Sequence, residues 1–143
     1  MLVPTGTEER PRPVNPNPAA VEVSAEGDET RFFARIDCTP GWERWYKTWI
    51  REIDSPDPSH VSIRDRWNLE RGTGVAFLLQ TVLPVEIDAE AVRIGDYAVV
   101  YPPEAAEVSL VEVPYPESDV PQKTIRFAID GTAGDSEVRI EFR

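Results

Sequence analysis

One carboxylate in this chain is set among apolar neighbours. Along Val61-Ser62-Ile63-Arg64-Asp65-Arg66-Trp67-Asn68-Leu69 the residues alternate strictly, so Val61, Ile63, Asp65, Trp67 and Leu69 share one face. His60, Ser62, Arg64, Arg66 and Asn68 share the other. An ionised carboxylate on the apolar face needs a cation or several donors. Arg51 is placed to supply one, because Trp45, Lys47, Trp49, Arg51 and Ile53 form one face of the preceding stretch and a short connection makes the two stretches antiparallel neighbours. The pair Asp65 and Arg51 reads as a structural ion pair that sets strand register. Acid–base chemistry at Asp65 would require a second titratable group in reach, and none is spaced for it.

The aromatic residues offer a different chemistry. Trp42, Trp45, Tyr46 and Trp49 lie close together with Arg44 and Lys47 interleaved. Flat rings beside polar side chains can stack on sugars. Alternation splits the cluster, with Trp45 and Trp49 facing one way and Tyr46 the other, so at least one side packs in the core or at an interface. The candidate sugar-binding set is Trp42, Arg44 and Trp45, with Trp42 expected to be exposed in the loop after Pro40-Gly41. His60, the only histidine, falls on the polar face at a strand entrance and reads as a surface residue. A metal site built on His60 with Asp37 or Asp57 lacks ligand clustering, so neither metal nor other cofactor is expected. Cys38, the only cysteine, reads as a small packed hydrophobe. Gly72-Thr73-Gly74 lacks the Lys-Ser/Thr of a phosphate loop, and no nucleophile elbow accompanies His60. The acidic pairs Glu86/Asp88 and Asp135/Glu137 fall on solvent faces, where they serve solubility and not glycoside hydrolysis.

Short strands must position these residues. The patterning predicts strands at Val21–Ala25, Thr30–Asp37, Trp45–Asp54, Ser59–Leu69, Val75–Val82, Val85–Asp88, Ala91–Ile94, Tyr97–Tyr101, Glu107–Val113, Lys123–Asp130 and Ser136–Phe142, separated by Gly, Pro and acidic turns. Two prolines in Ser55-Pro56-Asp57-Pro58 argue for a break in pairing, and Tyr115–Gln122 reads as a proline-broken loop. Apolar residues nowhere recur at helical spacing for long. The fold class is all-β, an antiparallel β-sandwich of about ten short strands over residues 21–143. Residues 1–20, with Pro4, Pro11, Pro13, Pro16 and Pro18, read as an unpacked proline-rich arm or linker.

Composition narrows the function classes. At 143 residues, 41% of them hydrophobic, the chain can bury a core as one domain. A net charge of -11 argues against nucleic acid as a partner and against a tight grip on sulfated or uronate polymers. No apolar run approaches the roughly 20 residues of a membrane span, and the start lacks a signal-peptide pattern. The expected location is cytoplasmic as given, or periplasmic or secreted if an upstream segment is missing.

Asp37-Cys38-Thr39-Pro40-Gly41-Trp42, followed by a stretch carrying Arg51 and by an alternating strand with inward Asp65, resembles the C-terminal β-sandwich of heparinase II/III-like polysaccharide lyases. In that family an Asp-x-Thr-Pro-x-aromatic segment precedes an arginine strand and an aspartate strand. The likeness runs from about residue 30 to 143. It includes Trp67-Asn68-Leu69-Glu70-Arg71-Gly72 leading into Phe77-Leu78-Leu79-Gln80-Thr81, the segment Val120-Pro121-Gln122-Lys123-Thr124-Ile125-Arg126-Phe127, and the strand Val138–Phe142. Trp42 stands where the family usually has tyrosine. Such lyases abstract the proton alpha to a uronate carboxyl with residues of a helical toroid and a histidine of the sandwich. No stretch here forms a toroid, and Met1–Val23, where the sandwich histidine would fall, has none. No catalytic residue is carried over. The resemblance implies a non-catalytic domain that supports a missing helical toroid and lines a uronate-polysaccharide cleft. The other readings are a stand-alone carbohydrate- or protein-binding sandwich and a purely structural interaction module.

Overall fold

Strand-forming residues and tight turns set the architecture from the first residues onward. The computed structural model describes residues 1–14, 21–114 and 120–143. The strands are β1 (Leu2–Thr5), β2 (Glu22–Gly27), β3 (Phe32–Asp37), β4 (Tyr46–Asp57), β5 (His60–Leu69), β6 (Gly74–Thr81), β7 (Val85–Ile87), β8 (Val92–Ile94), β9 (Ala98–Tyr101), β10 (Glu107–Val113), β11 (Gln122–Asp130) and β12 (Ala133–Phe142). One helical turn, α1 (Thr39–Trp42), lies between β3 and β4. The strands form two antiparallel sheets, a four-stranded one ordered β1-β6-β11-β10 and an eight-stranded one ordered β2-β3-β4-β5-β12-β9-β8-β7. The all-β sandwich expected from the alternation is what forms.

The core lies between the sheets. Leu2, Val75, Phe77, Ile125 and Phe127 project from the small sheet onto Trp49, Trp67, Leu69, Val92, Val100 and Val138 of the large one. Phe77 and Phe127, paired across β6 and β11, stack at 6.2 Å. Each such fully buried side chain contributes about 1.5–3 kcal/mol. At the β11–β12 hairpin Gly131 takes φ 119, a conformation that a side chain would strain.

Three expectations change. The proline-rich arm is packed at its start: β1 pairs with β6, Leu2 opposite Phe77 and Pro4 opposite Val75, and both Leu2 and Pro4 are buried. Leu2 and Pro4 alternate with Val3 and Thr5, and an edge strand tolerates proline because one of its sides needs no ladder bond. Pro16, Pro18 and residues 115–119 of the expected Tyr115–Gln122 loop lie outside the described residues. Second, β4 runs through Ser55 and Pro56 to Asp57. Its register on β5 shifts between Asp54 and Asp57, while Ser55 still pairs with Phe32 of β3. Third, another register shift between Tyr46 and Thr48 puts Tyr46 on the same buried face as Trp49 and leaves Lys47 exposed.

Candidate functional site

Arg51 and Asp65 are direct register partners on β4 and β5. Arg51 Nε donates to Asp65 Oδ1 at 2.9 Å and Nη2 to Oδ2 at 2.8 Å, a bidentate pair. Trp49 Nε1 donates to Oδ1 at 2.7 Å, a third bond to a carboxylate only 1% exposed. The guanidinium centre lies 5.3 Å from the Trp49 ring and 5.3 Å from Phe77, so it joins the two sheets through ring faces. Both oxygens of this carboxylate accept from side chains of the protein, and its burial leaves it closed to solvent. The arrangement holds structure and offers nothing to a substrate.

The aromatic set is built into the core as well. Trp42 is 8% exposed and Trp45 2%, which corrects the expectation of a loop tryptophan free to meet sugar. The α1 turn brings Trp42 edge-on to Tyr46 at 6.2 Å and to Trp49 at 5.7 Å, while Tyr46 stacks on Trp49 at 5.0 Å. Trp45 is covered by the protein's own N-terminal segment, with its Nε1 donating to the Arg12 carbonyl at 3.0 Å. Arg44 stays exposed, but its Nη2 holds both oxygens of Glu9 (2.9 and 2.7 Å) and its guanidinium lies 5.5 Å from the Trp45 ring. Trp42 is thus packed in the core, Trp45 is covered by the N-terminal segment and Arg44 is held by Glu9, so the set presents no stacking face.

His60 is exposed, with Nδ1 2.8 Å from Asp57 Oδ1 and 2.9 Å from Oδ2. Asp57, through this bond and its charge, raises the His60 pKa above the ordinary 6.5, and the His60 bond lowers that of Asp57. For the raised histidine, the stability contribution is complete below pH 6.5 and is lost as pH rises through the folded-state pKa. For the lowered aspartate it is present above pH 3.8 and lost as pH falls through the folded value. A proton NMR titration of His60 is expected to give a midpoint above 6.5, and Asp57→Asn to return it there. An unchanged midpoint in that variant would remove Asp57 as the cause. No nucleophile hydrogen-bonds His60 among the described residues, so the dyad is not a hydrolytic triad. Desolvation pushes the Cys38 thiol up to about 11, consistent with a packed thiol and not a nucleophile. The described residues hold no group of three His, Cys, Asp or Glu able to bind a metal, and no helix long and apolar enough to cross a membrane.

The outer face of the eight-stranded sheet carries the surface that remains open. There, register places Glu26, Phe33, Asp54, Ser62, Arg139 and Tyr101 in one row across β2, β3, β4, β5, β12 and β9. A depression of about 560 Å³ beside Glu26 and Phe33 and another of about 500 Å³ beside His60, Ser62, Arg139 and Tyr101 share Asp54 and Pro56 as walls. Lying end to end along the row, with Asp54 and Pro56 between them, they form an interrupted trough. With strands about 4.8 Å apart, Phe33 and Tyr101 stand about 19 Å apart and Asp54 and Arg139 about 10 Å.

Charge pairing distinguishes this row from its neighbour. In the adjacent row Arg35, Glu52, Arg64 and Glu137 lie side by side. Arg35 bonds Glu52, Arg66 reaches Glu52 at 3.5 Å, and Arg64 reaches Glu137 at 3.2 Å. The side chains of Asp54 and Ser62 and the guanidinium N–H groups of Arg139 take no hydrogen bond or ion pair among the described residues. Arg139 is instead laid against Tyr101, 5.4 Å from its ring centre, and Tyr101 Oη is fixed by donating to Glu141 Oε2 at 3.2 Å. The row thus offers a carboxylate, a hydroxyl and a planar guanidinium between two rings.

None of these row residues stood out in the sequence as a site. Their outward direction was readable from the alternation of each strand, but their alignment depends on β12 entering between β5 and β9. No protein-family model matches the chain, and no curated protein is significantly similar to it.

Proposed function

We propose that this chain is a non-catalytic β-sandwich module that binds carbohydrate along the outer face of its eight-stranded sheet. The observation that carries the reading is the unpaired Asp54–Ser62–Arg139 row, bounded by Phe33 and Tyr101, on a face whose adjacent charges are paired. Carboxylates and guanidinium groups bond sugar hydroxyls, and ring faces take the apolar faces of pyranoses. The toroid-supporting role implied by the lyase resemblance would use a bare aromatic docking face. Trp45 and Trp49 are 2% and 3% exposed and leave no such face on this side of the sheet. The open trough favours the binding module.

A test is calorimetric titration with soluble oligosaccharides. A hydrogen bond to a charged group contributes about 1.5–3 kcal/mol, so Asp54→Ala with Arg139→Ala is expected to weaken binding at least about tenfold. The melting temperature should hardly move, because both side chains are exposed. Unchanged affinity in the double variant would show that the trough is not where sugar binds.

A further inference from the structure

We infer that the trough selects uncharged linear glycans and rejects uronate and sulfated ones, an inference that rests on the carbohydrate-binding reading. Its walls carry four carboxylates, Glu26, Asp28, Asp54 and Glu141, against two guanidinium groups, Arg31 and Arg139, and the His60 imidazole. Arg31 is already taken by Asp28 at 3.5 Å and His60 by Asp57 at 2.8 Å, which leaves Arg139 as the unpaired cation of the trough walls. An anionic repeat laid along the trough would find one guanidinium for many charges. It would also set carboxylates or sulfates against Asp54, at the centre where the two depressions meet. Like charges brought together at an interface exclude a partner more effectively than a missing contact does. The net charge of -11 on the whole chain repels a polyanion before contact.

The positive evidence points to hydroxyls. Asp54 is an acceptor-only group and Arg139 a donor-only group, with Ser62 between them able to do both. That sequence of acceptor, hydroxyl and donor along one line complements a run of sugar hydroxyls, each both donor and acceptor. Holding Arg139 against Tyr101 fixes its fork before ligand arrives, which lowers the ordering cost of binding. The distance between Phe33 and Tyr101, about 19 Å, exceeds one sugar ring and asks for an oligosaccharide that reaches both. Arg139 is the specificity-determining residue of this arrangement and Asp54 its selective gate.

The test titrates the 143-residue protein with neutral gluco-, xylo-, manno- and galacto-oligosaccharides from mono- to hexasaccharide, and with oligogalacturonate and heparin-derived oligosaccharides. At least one neutral series is expected to bind, with affinity rising with length. That affinity should stay within about twofold between about 0.05 and about 0.5 M NaCl, since no counter-ion is displaced. Asp54→Lys should weaken neutral binding and raise oligogalacturonate binding at least about tenfold. Tighter binding of the anionic series to the unaltered protein, or strong salt dependence of neutral binding, would overturn the selectivity and leave carbohydrate binding standing. No binding of any series, with Tyr101 and Arg139 resonances unmoved, would overturn both.

Discussion

Asp65→Ala is expected to destabilise the protein by about 3–5 kcal/mol, the range for removing one partner of a buried ion pair. The loss has three parts. The variant leaves the Arg51 guanidinium, 15% exposed, without its two charge-assisted bonds and enclosed by the Trp49 and Phe77 rings. It leaves Trp49 Nε1 with no acceptor, and an unpaired buried donor costs about 1–3 kcal/mol. It also opens space in a region where Tyr46 and Trp49 stack. For a domain whose total stability is typically 5–15 kcal/mol, this approaches unfolding. Urea denaturation checks it, with the slope against denaturant held constant. A loss below about 1 kcal/mol would mean that water reaches the pair.

Two companions separate charge from packing. Asp65→Asn keeps an acceptor for Trp49 but gives Arg51 a neutral partner, so it should fall between wild type and alanine. Replacing both partners together, Asp65→Leu with Arg51→Met, should cost less than Asp65→Ala, because no uncompensated charge remains. If the double replacement costs more than the single one, the pair contributes beyond satisfying itself.

The same region shows what a sequence can and cannot disclose. Asp65 and Arg51 were legible because both alternate with apolar residues and lie on strands joined by a tight turn, so local pairing decides their contact. Trp49 was placed on the correct face for the same reason. Tyr46 was not, because one register irregularity after it reverses parity, and no residue between Tyr46 and Thr48 announces such a shift. Burial of Trp42 depends on the α1 turn, too short for any periodic signal. The trough was less legible still. Asp54, Ser62 and Arg139 come from β4, β5 and β12, and only the return of the last strand beside β5 lines them up. Patterning tells which way a side chain faces along its own strand, but a row across strands is a property of sheet order.

The N-terminal strand yields the second large effect. Leu2→Ala is expected to cost about 2–5 kcal/mol, the usual range for truncating a buried leucine. Leu2 is 0% exposed, opposite Phe77, and its carbonyl accepts the Tyr46 hydroxyl at 3.2 Å. Burial of that phenol pushes its pKa up, so the hydroxyl remains a donor through the neutral range. An arm that merely lay on the surface would lose no more than about 0.5 kcal/mol on the same change. Hydrogen exchange gives an independent reading. The Leu78 amide donates to the Met1 carbonyl at 2.7 Å and the Thr73 amide to the Thr5 carbonyl at 2.9 Å, so both should lose protection when β1 loosens. The Ile125 and Phe127 amides, on β11 at the opposite side of β6, should keep theirs in native conditions. Loss of protection in both places together would mean that β1 is part of one cooperative unit with the sandwich. In that case β1, drawn from a segment that looks dispensable in the sequence, is as much a core element as β6, with Pro4 limiting the donors offered at that sheet edge.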